Sequence, residues 1–105
     1  PVPWAQRQQE PASLVINATS IGMSPDAQSM PLDEAFIRAS RAVMDVVISP
    51  METRLIGCAR AAGKAVAPGY VMGLEQAAAQ FALYTGAAPP RDLMERNLRL
   101  VLEKR

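Results

Sequence analysis

Three short runs of small and polar residues interrupt otherwise apolar sequence: Asn17-Ala18-Thr19-Ser20, Ile48-Ser49-Pro50 and Pro68-Gly69. Each follows an apolar stretch that reads as a strand, and in open parallel sheets ligands bind beyond the carboxyl ends of the strands. Small residues there admit a flat ring against bare backbone, and polar ones supply hydrogen bonds. The same residue types also make ordinary turns, and spacing alone leaves both roles open. Downstream, Met72 is polarizable and adaptable against an aromatic face, and Gln76 offers a donor and an acceptor to a polyol. Core packing for Met72 and a solvated helix face for Gln76 are the plainer alternatives.

Other chemistries are excluded by what the chain lacks. It has no histidine and a single cysteine, Cys58, so an internal disulfide cannot form and a zinc site built on His or Cys is not expected. No metal ligand set is assigned. No Gly-x-Gly-x-x-Gly cluster is present to cradle a pyrophosphate. Lys64 and Lys104 fall at a strand start and near the chain end, and Asp45 lies inside an apolar strand, so none suits proton transfer. Cys58 sits mid-helix on the Leu55 side with no basic neighbour expected to lower its pKa, which makes it a packing residue. Trp4, in a Pro-rich segment, is expected to cover a sheet edge or a neighbouring chain.

The elements that position these residues follow from pattern. Leu14 to Ala18 is short, apolar and β-branched, as expected for a strand buried on both faces. Thr19 to Pro31 carries turn chemistry throughout, and Asp33 to Ala39 is a short helix. Ala42 to Ile48 is a second strand, stopped by Ser49-Pro50. Thr53 to Ala62 is a helix ended by Gly63, and Lys64 to Ala67 a third strand. Strand, helix and strand at this spacing make a right-handed βαβ unit in a parallel sheet, so the fold class is α/β. A helix then runs from Gly69 to about Thr85, where Gly86 stops it, and another from Asp92 to near Glu103. In the last, Met94, Leu98, Val101 and Leu102 form an apolar stripe.

With 105 residues the chain supports one small core. Half of it is apolar and a fifth charged, with a formal net charge of +1, which points to no nucleic-acid partner. No stretch reads as a membrane span or signal peptide, so a reducing, cytoplasmic location is expected. The opening at Pro1, with three prolines in the first dozen residues, reads as the continuation of a longer protein.

Three ordered segments carry a resemblance. Leu14-Val-Ile-Asn-Ala-Thr-Ser-Ile-Gly-Met-Ser-Pro25 resembles the Asn-Ala-Thr-Ser-x-Gly-Met signature of the shikimate and quinate dehydrogenase family. Asp45-x-Val-x-x-Pro50-x-x-Thr53-x-Leu55 resembles that family's Asp-x-Val-Tyr-x-Pro-x-x-Thr-x-Leu. Gly69-x-x-Met72-x-x-x-Gln76-Ala77-Ala78-x-x-Phe81 with Thr85-Gly86 resembles its interdomain helix. The match spans residues 14 to 86.

The resemblance implies the second half of a Rossmann-like parallel sheet over residues 1–68, followed by interdomain and carboxyl-terminal helices over 69–105. It implies that Asn17, Ala18, Thr19, Val46, Gly69 and Met72 border the nicotinamide of NADP, or of NAD as the alternative cofactor. Gly69, lacking a Cβ, would leave room for the ring. It implies that Gln76 hydrogen-bonds a substrate hydroxyl and that position 48 faces the substrate. The family's tyrosine there is Ile48 in this chain, and the leucine that commonly follows Met72 is Gly73.

The implied function is part of an NADP-dependent oxidoreductase that moves a hydride between the cofactor and shikimate, quinate or a related cyclic polyhydroxy acid, in aromatic amino acid biosynthesis. The glycine-rich loop and the catalytic lysine and aspartate would come from outside this chain, the latter pair from an amino-terminal substrate domain, so no catalytic residue is assigned. A divergent paralogue that binds nucleotide or another ligand without turnover is the rival, favoured by Ile48 and Gly73. If the chain instead stood alone as an interaction module, its Leu74, Ala78 and Phe81 face would need a partner. A homodimer is compatible with the chain, though no residue argues for one.

Overall fold

Leu-Val-Ile-Asn, Ala-Val-Met-Asp and Ala-Val-Ala form three adjacent parallel strands in the computed structural model, which describes residues 1–104. They are β1 (Leu14–Asn17), β2 (Ala42–Asp45) and β3 (Ala65–Ala67), ordered β1-β2-β3. Leu14 pairs with Ala42, Asn17 with Asp45 and Ala42 with Ala65. The connections are α1 (Glu34–Ala39) and α2 (Arg54–Ala61), and a 3-10 turn, Trp4–Gln6, precedes the sheet. Two helices follow it, α3 (Gly69–Thr85) and α4 (Arg91–Glu103). The α/β class, the parallel sheet and the two carboxyl-terminal helices are as expected from sequence.

Side chains alternate across a strand. Val15 and Val43 point to one face, where Ile37, Leu55, Ile56 and Ala59 of α1 and α2 complete the buried core. Full burial of Ile37, Leu55 and Ile56 contributes roughly 1.5–3 kcal/mol each. The other face is different. Leu14 and Ile16 remain 56% and 53% exposed, so β1 is not buried on both faces. Among the described residues α1 and α2 cover one side of the sheet, and the β-branched composition of β1 overstates what this chain buries.

β2 pairs only to Asp45, three residues short of the expected Ile48. The physical cause is local: the Asp45 carboxylate accepts the Val47 N–H at 2.9 Å, which turns that donor away from a ladder. Helix α2 starts where Thr53 caps it, its hydroxyl accepting from the Ile56 N–H at 3.2 Å. Helix α3 ends at Gly86, whose φ of 67° is left-handed, a conformation glycine adopts without strain.

In α3, Leu74 and Ala78 are buried and Phe81 half-buried, so the face expected to need a partner is covered within the chain. The exposed large apolar residues of α3 are instead Val71 near its start and Leu83 and Tyr84 at its far end. α4 packs on α3; Met94, Leu98 and Leu102 of its apolar stripe are half-buried, whereas Val101 of the expected stripe is exposed. An ion pair between Arg91 and Glu75, and the Arg99 guanidinium 5.2 Å over the Tyr70 ring, tie the two helices together. No helix among the described residues is long and apolar enough to cross a membrane.

Candidate functional site

A parallel sheet brings the residues that follow each strand to one end, and here those residues are bound to one another. Asn17 closes β1 and Asp45 closes β2, directly opposite in register. Asn17 Nδ2 donates to Asp45 Oδ1 at 3.1 Å and to the Ile21 carbonyl at 3.1 Å. Its Oδ1 accepts from the Thr19 N–H at 3.1 Å and the Thr19 hydroxyl at 2.6 Å. The other carboxylate oxygen of Asp45 accepts from the Thr53 hydroxyl at 2.7 Å. A buried carboxylate is tolerated when donors surround it, and Asp45 has three: Asn17, Val47 and Thr53.

The network fixes the loop after β1. Thr19 Oγ1 in turn accepts from the Ile21 N–H at 3.1 Å, so the chain turns sharply there, leaving Ala18 exposed and Thr19 half-buried. Further along, the Ser24 N–H donates to the Ser49 carbonyl at 2.9 Å, which joins this loop to the one after β2. Asn17 itself is buried, with its amide fully occupied inside the protein.

The other wall is one face of α3. Gly69, Met72, Gly73 and Gln76 fall at i, i+3, i+4 and i+7 and therefore share a face. That face meets the end of β2. A Cβ on Gly69 would lie 2.2 Å from the Val47 carbonyl oxygen and 2.9 Å from the Val46 carbonyl carbon. The space that the missing Cβ frees is thus filled by Val47 backbone and is not left for a ring, as the sequence had suggested; glycine is needed because helix and strand touch. One turn on, a Cβ on Gly73 would stand 3.4 Å from Ile48 Cδ1. Val46, Ile48 and Met72 are half-buried, and Gln76 is exposed at the outer end.

Asn17, Ala18 and Thr19 thus sit on one side of the strand ends, with Val46 and Ile48 beyond β2 and Gly69, Met72 and Gln76 along α3. The arrangement offers hydroxyl, amide and backbone groups and apolar contact, but no acid or base free to move a proton. Asp45 has both oxygens occupied. Lys64 precedes β3 at the opposite end of the sheet, and Lys104 follows α4.

Two groups escaped the sequence reading. Asp45 stands in the sequence as a motif position unfit for proton transfer, but a lone carboxylate in an apolar strand also signals a buried donor set. Arg7 carried no pattern at all. Its guanidinium lies 4.1 Å from the centre of the Trp4 ring, and its Nε donates to the Pro31 carbonyl at 2.7 Å. With Ile16, Asn17, Thr19 and Leu32 these residues line a cleft of about 160 Å³ beside β1. Trp4 thus borders a cleft beside the edge strand and remains half exposed.

Cys58 packs against the core, as expected. Arg38 and Arg54 do lie near enough to favour its thiolate, contrary to expectation, but burial and Glu34 outweigh them and push the thiol up from its usual value.

A family model described as "Shikimate 5'-dehydrogenase C-terminal domain" matches residues 69–99. A curated relative, the shikimate dehydrogenase (NADP(+)) of Moorella thermoacetica, is 42% identical over 90 residues, which cover 86% of this chain and 30% of the relative. The solved shikimate 5-dehydrogenase of Thermus thermophilus, in complex with NADP(H) and shikimate, superimposes with a TM-score of 0.76 at 32% identity, covering 96% of this chain and 38% of that one. The quinate dehydrogenase of Corynebacterium glutamicum, in complex with NAD, gives 0.73 at 35% identity, over 86% of this chain and 31% of that one. The chain spans about a third of the length of the curated relatives it matches.

Proposed function

Because the chain belongs to the shikimate dehydrogenase family, as a carboxyl-terminal portion of it, we propose that it forms one wall of a nicotinamide and substrate site in an NADP-dependent oxidoreductase. The reaction would be reversible hydride transfer between NADP and the carbinol carbon of shikimate, quinate or a related cyclic polyhydroxy acid. The observation that carries this is the convergence at one end of the sheet of the Asn17–Thr19 turn, residues 46–48 and the Gly69–Gln76 face of α3.

The residues fit the cofactor's chemistry. When bound, the nicotinamide accepts or releases the hydride, and the protein sets its position. Val46 and Met72 offer a half-buried apolar surface to a flat ring, and Thr19 a hydroxyl held in place by Asn17. Gly69 acts by bringing α3 close enough for Met72 to reach that surface. Gln76, exposed at the outer end of the same face, would orient a substrate hydroxyl. NAD is the alternative cofactor.

Lysine and aspartate for proton transfer, and the glycine-rich turn for the pyrophosphate, would be supplied by sequence outside these residues, including an amino-terminal substrate domain. The bare face of β1, with Leu14 and Ile16 exposed, suits packing against such sequence. Pairing into a homodimer and action in the cytoplasm, within aromatic amino acid biosynthesis, belong to the same proposal.

The test is NADP-dependent oxidation of shikimate and quinate by the full-length protein. Turnover of either acid is the expected result. Binding of NADP without turnover of any cyclic acid would favour a ligand-binding paralogue.

A further inference from the structure

Among the described residues Asp45 is the only charged side chain that is buried, with 0% of its surface exposed. It has no counter-ion. Its partners, the Asn17 amide, the Val47 N–H and the Thr53 hydroxyl, are all neutral, and it belongs to none of the ion pairs among the described residues. Donors make such a charge tolerable without cancelling it. The start of α2, which Thr53 caps, adds only the partial charge of a helix end.

The scaffold itself does not require the charge. Asparagine at 45 would keep all three links: its oxygen would accept from Asn17 and Val47, and its amide nitrogen would donate to the Thr53 oxygen. A carboxylate standing where an amide of the same size would join the same groups, at a lower cost of desolvation, points to a use for its field.

That field acts at one end of the sheet. Asp45 closes β2 opposite Asn17, which closes β1, and ligands of open parallel sheets lodge beyond such ends. The Asn17 amide extends the field: with Nδ2 turned to Asp45, its negative Oδ1 end faces Thr19. Ala18, Thr19 and Val46, the residues that follow the two strand ends, are those placed beside the nicotinamide in the reading above. The oxidised ring carries a positive charge, whereas the reduced ring, having gained a hydride, is neutral. A fixed negative charge in a poorly screened interior acts on the first and not on the second.

We propose that the buried charge of Asp45 biases the site toward the oxidised cofactor. Compared with the same site lacking that charge, NADP+ is held more tightly, and bound NADPH gives up its hydride to the carbonyl carbon of the acid more readily. Asp45 does this through space and through the Asn17 amide, without touching cofactor or substrate. The inference rests on the cofactor site proposed above.

The experiment measures dissociation constants of the full-length protein for NADP+ and for NADPH by titration calorimetry, and takes their ratio within each variant. General loosening of the site weakens both forms and cancels in that ratio. Asp45→Asn should raise the NADP+ to NADPH ratio by about threefold or more, since a unit charge roughly 10 Å away in a protein interior is worth about tenfold in an equilibrium constant. Asp45→Thr, also neutral and suited to a strand, should do the same and serves where the first change impairs folding. Thr53→Ala breaks one link but keeps the carboxylate, so its ratio should stay within about twofold of native. A ratio unchanged within about twofold in the neutral variants would overturn the proposal, as would an equal rise in Thr53→Ala. A native protein that binds neither form would instead remove the cofactor site on which the charge is said to act.

Discussion

Asn17 donates through Nδ2 to Oδ1 of Asp45 at 3.1 Å, across adjacent strand ends and almost wholly shielded from solvent, at 3% and 0% exposure. This contact, with the Ser24–Ser49 backbone bond, ties the loop after β1 to the loop after β2 and, by way of Thr53, to the first turn of α2. Two sequence segments that look like separate signatures are thus halves of one hydrogen-bonded unit.

Asp45→Ala in the full-length protein should lower stability by about 3 kcal/mol or more, because it strands the Asn17, Val47 and Thr53 donors in the interior. Chemical unfolding measures this. Loss of NADP affinity should accompany it, as the Thr19 turn loosens. An unchanged unfolding midpoint would show that the network carries no weight.

Gly69→Ala should be far more harmful than Gly73→Ala, although each adds one methyl group. The first would place a Cβ 2.2 Å from backbone, the second 3.4 Å from a side-chain terminus. A loss of about 3 kcal/mol is expected for Gly69→Ala and under about 1 kcal/mol for Gly73→Ala, read from paired thermal melts. Equal effects would contradict the contact geometry.

Gln76→Ala should leave the unfolding midpoint within about 0.5 kcal/mol of native, since the side chain is exposed. Steady-state kinetics should show KM for the acid rising by about tenfold while the dissociation constant for NADP stays put. A change confined to NADP binding would move Gln76 to the cofactor side of the site.

Cys58 should react slowly with iodoacetamide at pH 8, more slowly than a free thiol. Burial raises its pKa above the ordinary value of 9.0, so the thiolate fraction at pH 8 is depressed and grows only as the pH rises past that value. Alkylation rates from pH 7 to 10 test the direction. A plateau reached below pH 9 would mean that Arg38 and Arg54 win.

The sequence was informative where local chemistry decides the outcome. Thr53 and Gly86 mark the start of α2 and the end of α3, because a hydroxyl cap and a left-handed glycine are local necessities. It was less informative where partners from elsewhere decide. Leu14 and Ile16 looked like core residues, yet hydrophobicity does not reveal which face of a strand this chain covers. Val46 to Ile48 looked like strand, yet a carboxylate in the chain itself removes the Val47 donor. The nearness of the Ile48 side chain to the Gly73 turn of α3 could not be read at all, since it depends on how closely Gly69 lets a helix approach.

That approach has a mechanical consequence. Backbone pressed on backbone cannot slide as interdigitated side chains can, so the first two turns of α3 travel with the sheet as a single rigid arm. On the reaction proposed here, opening and closing of the protein would then change access to the site without altering how the ring and the Gln76 amide are aligned. Any pivot must lie beyond those turns, and the left-handed Gly86, followed by Pro89 and Pro90, is where the helix itself ends.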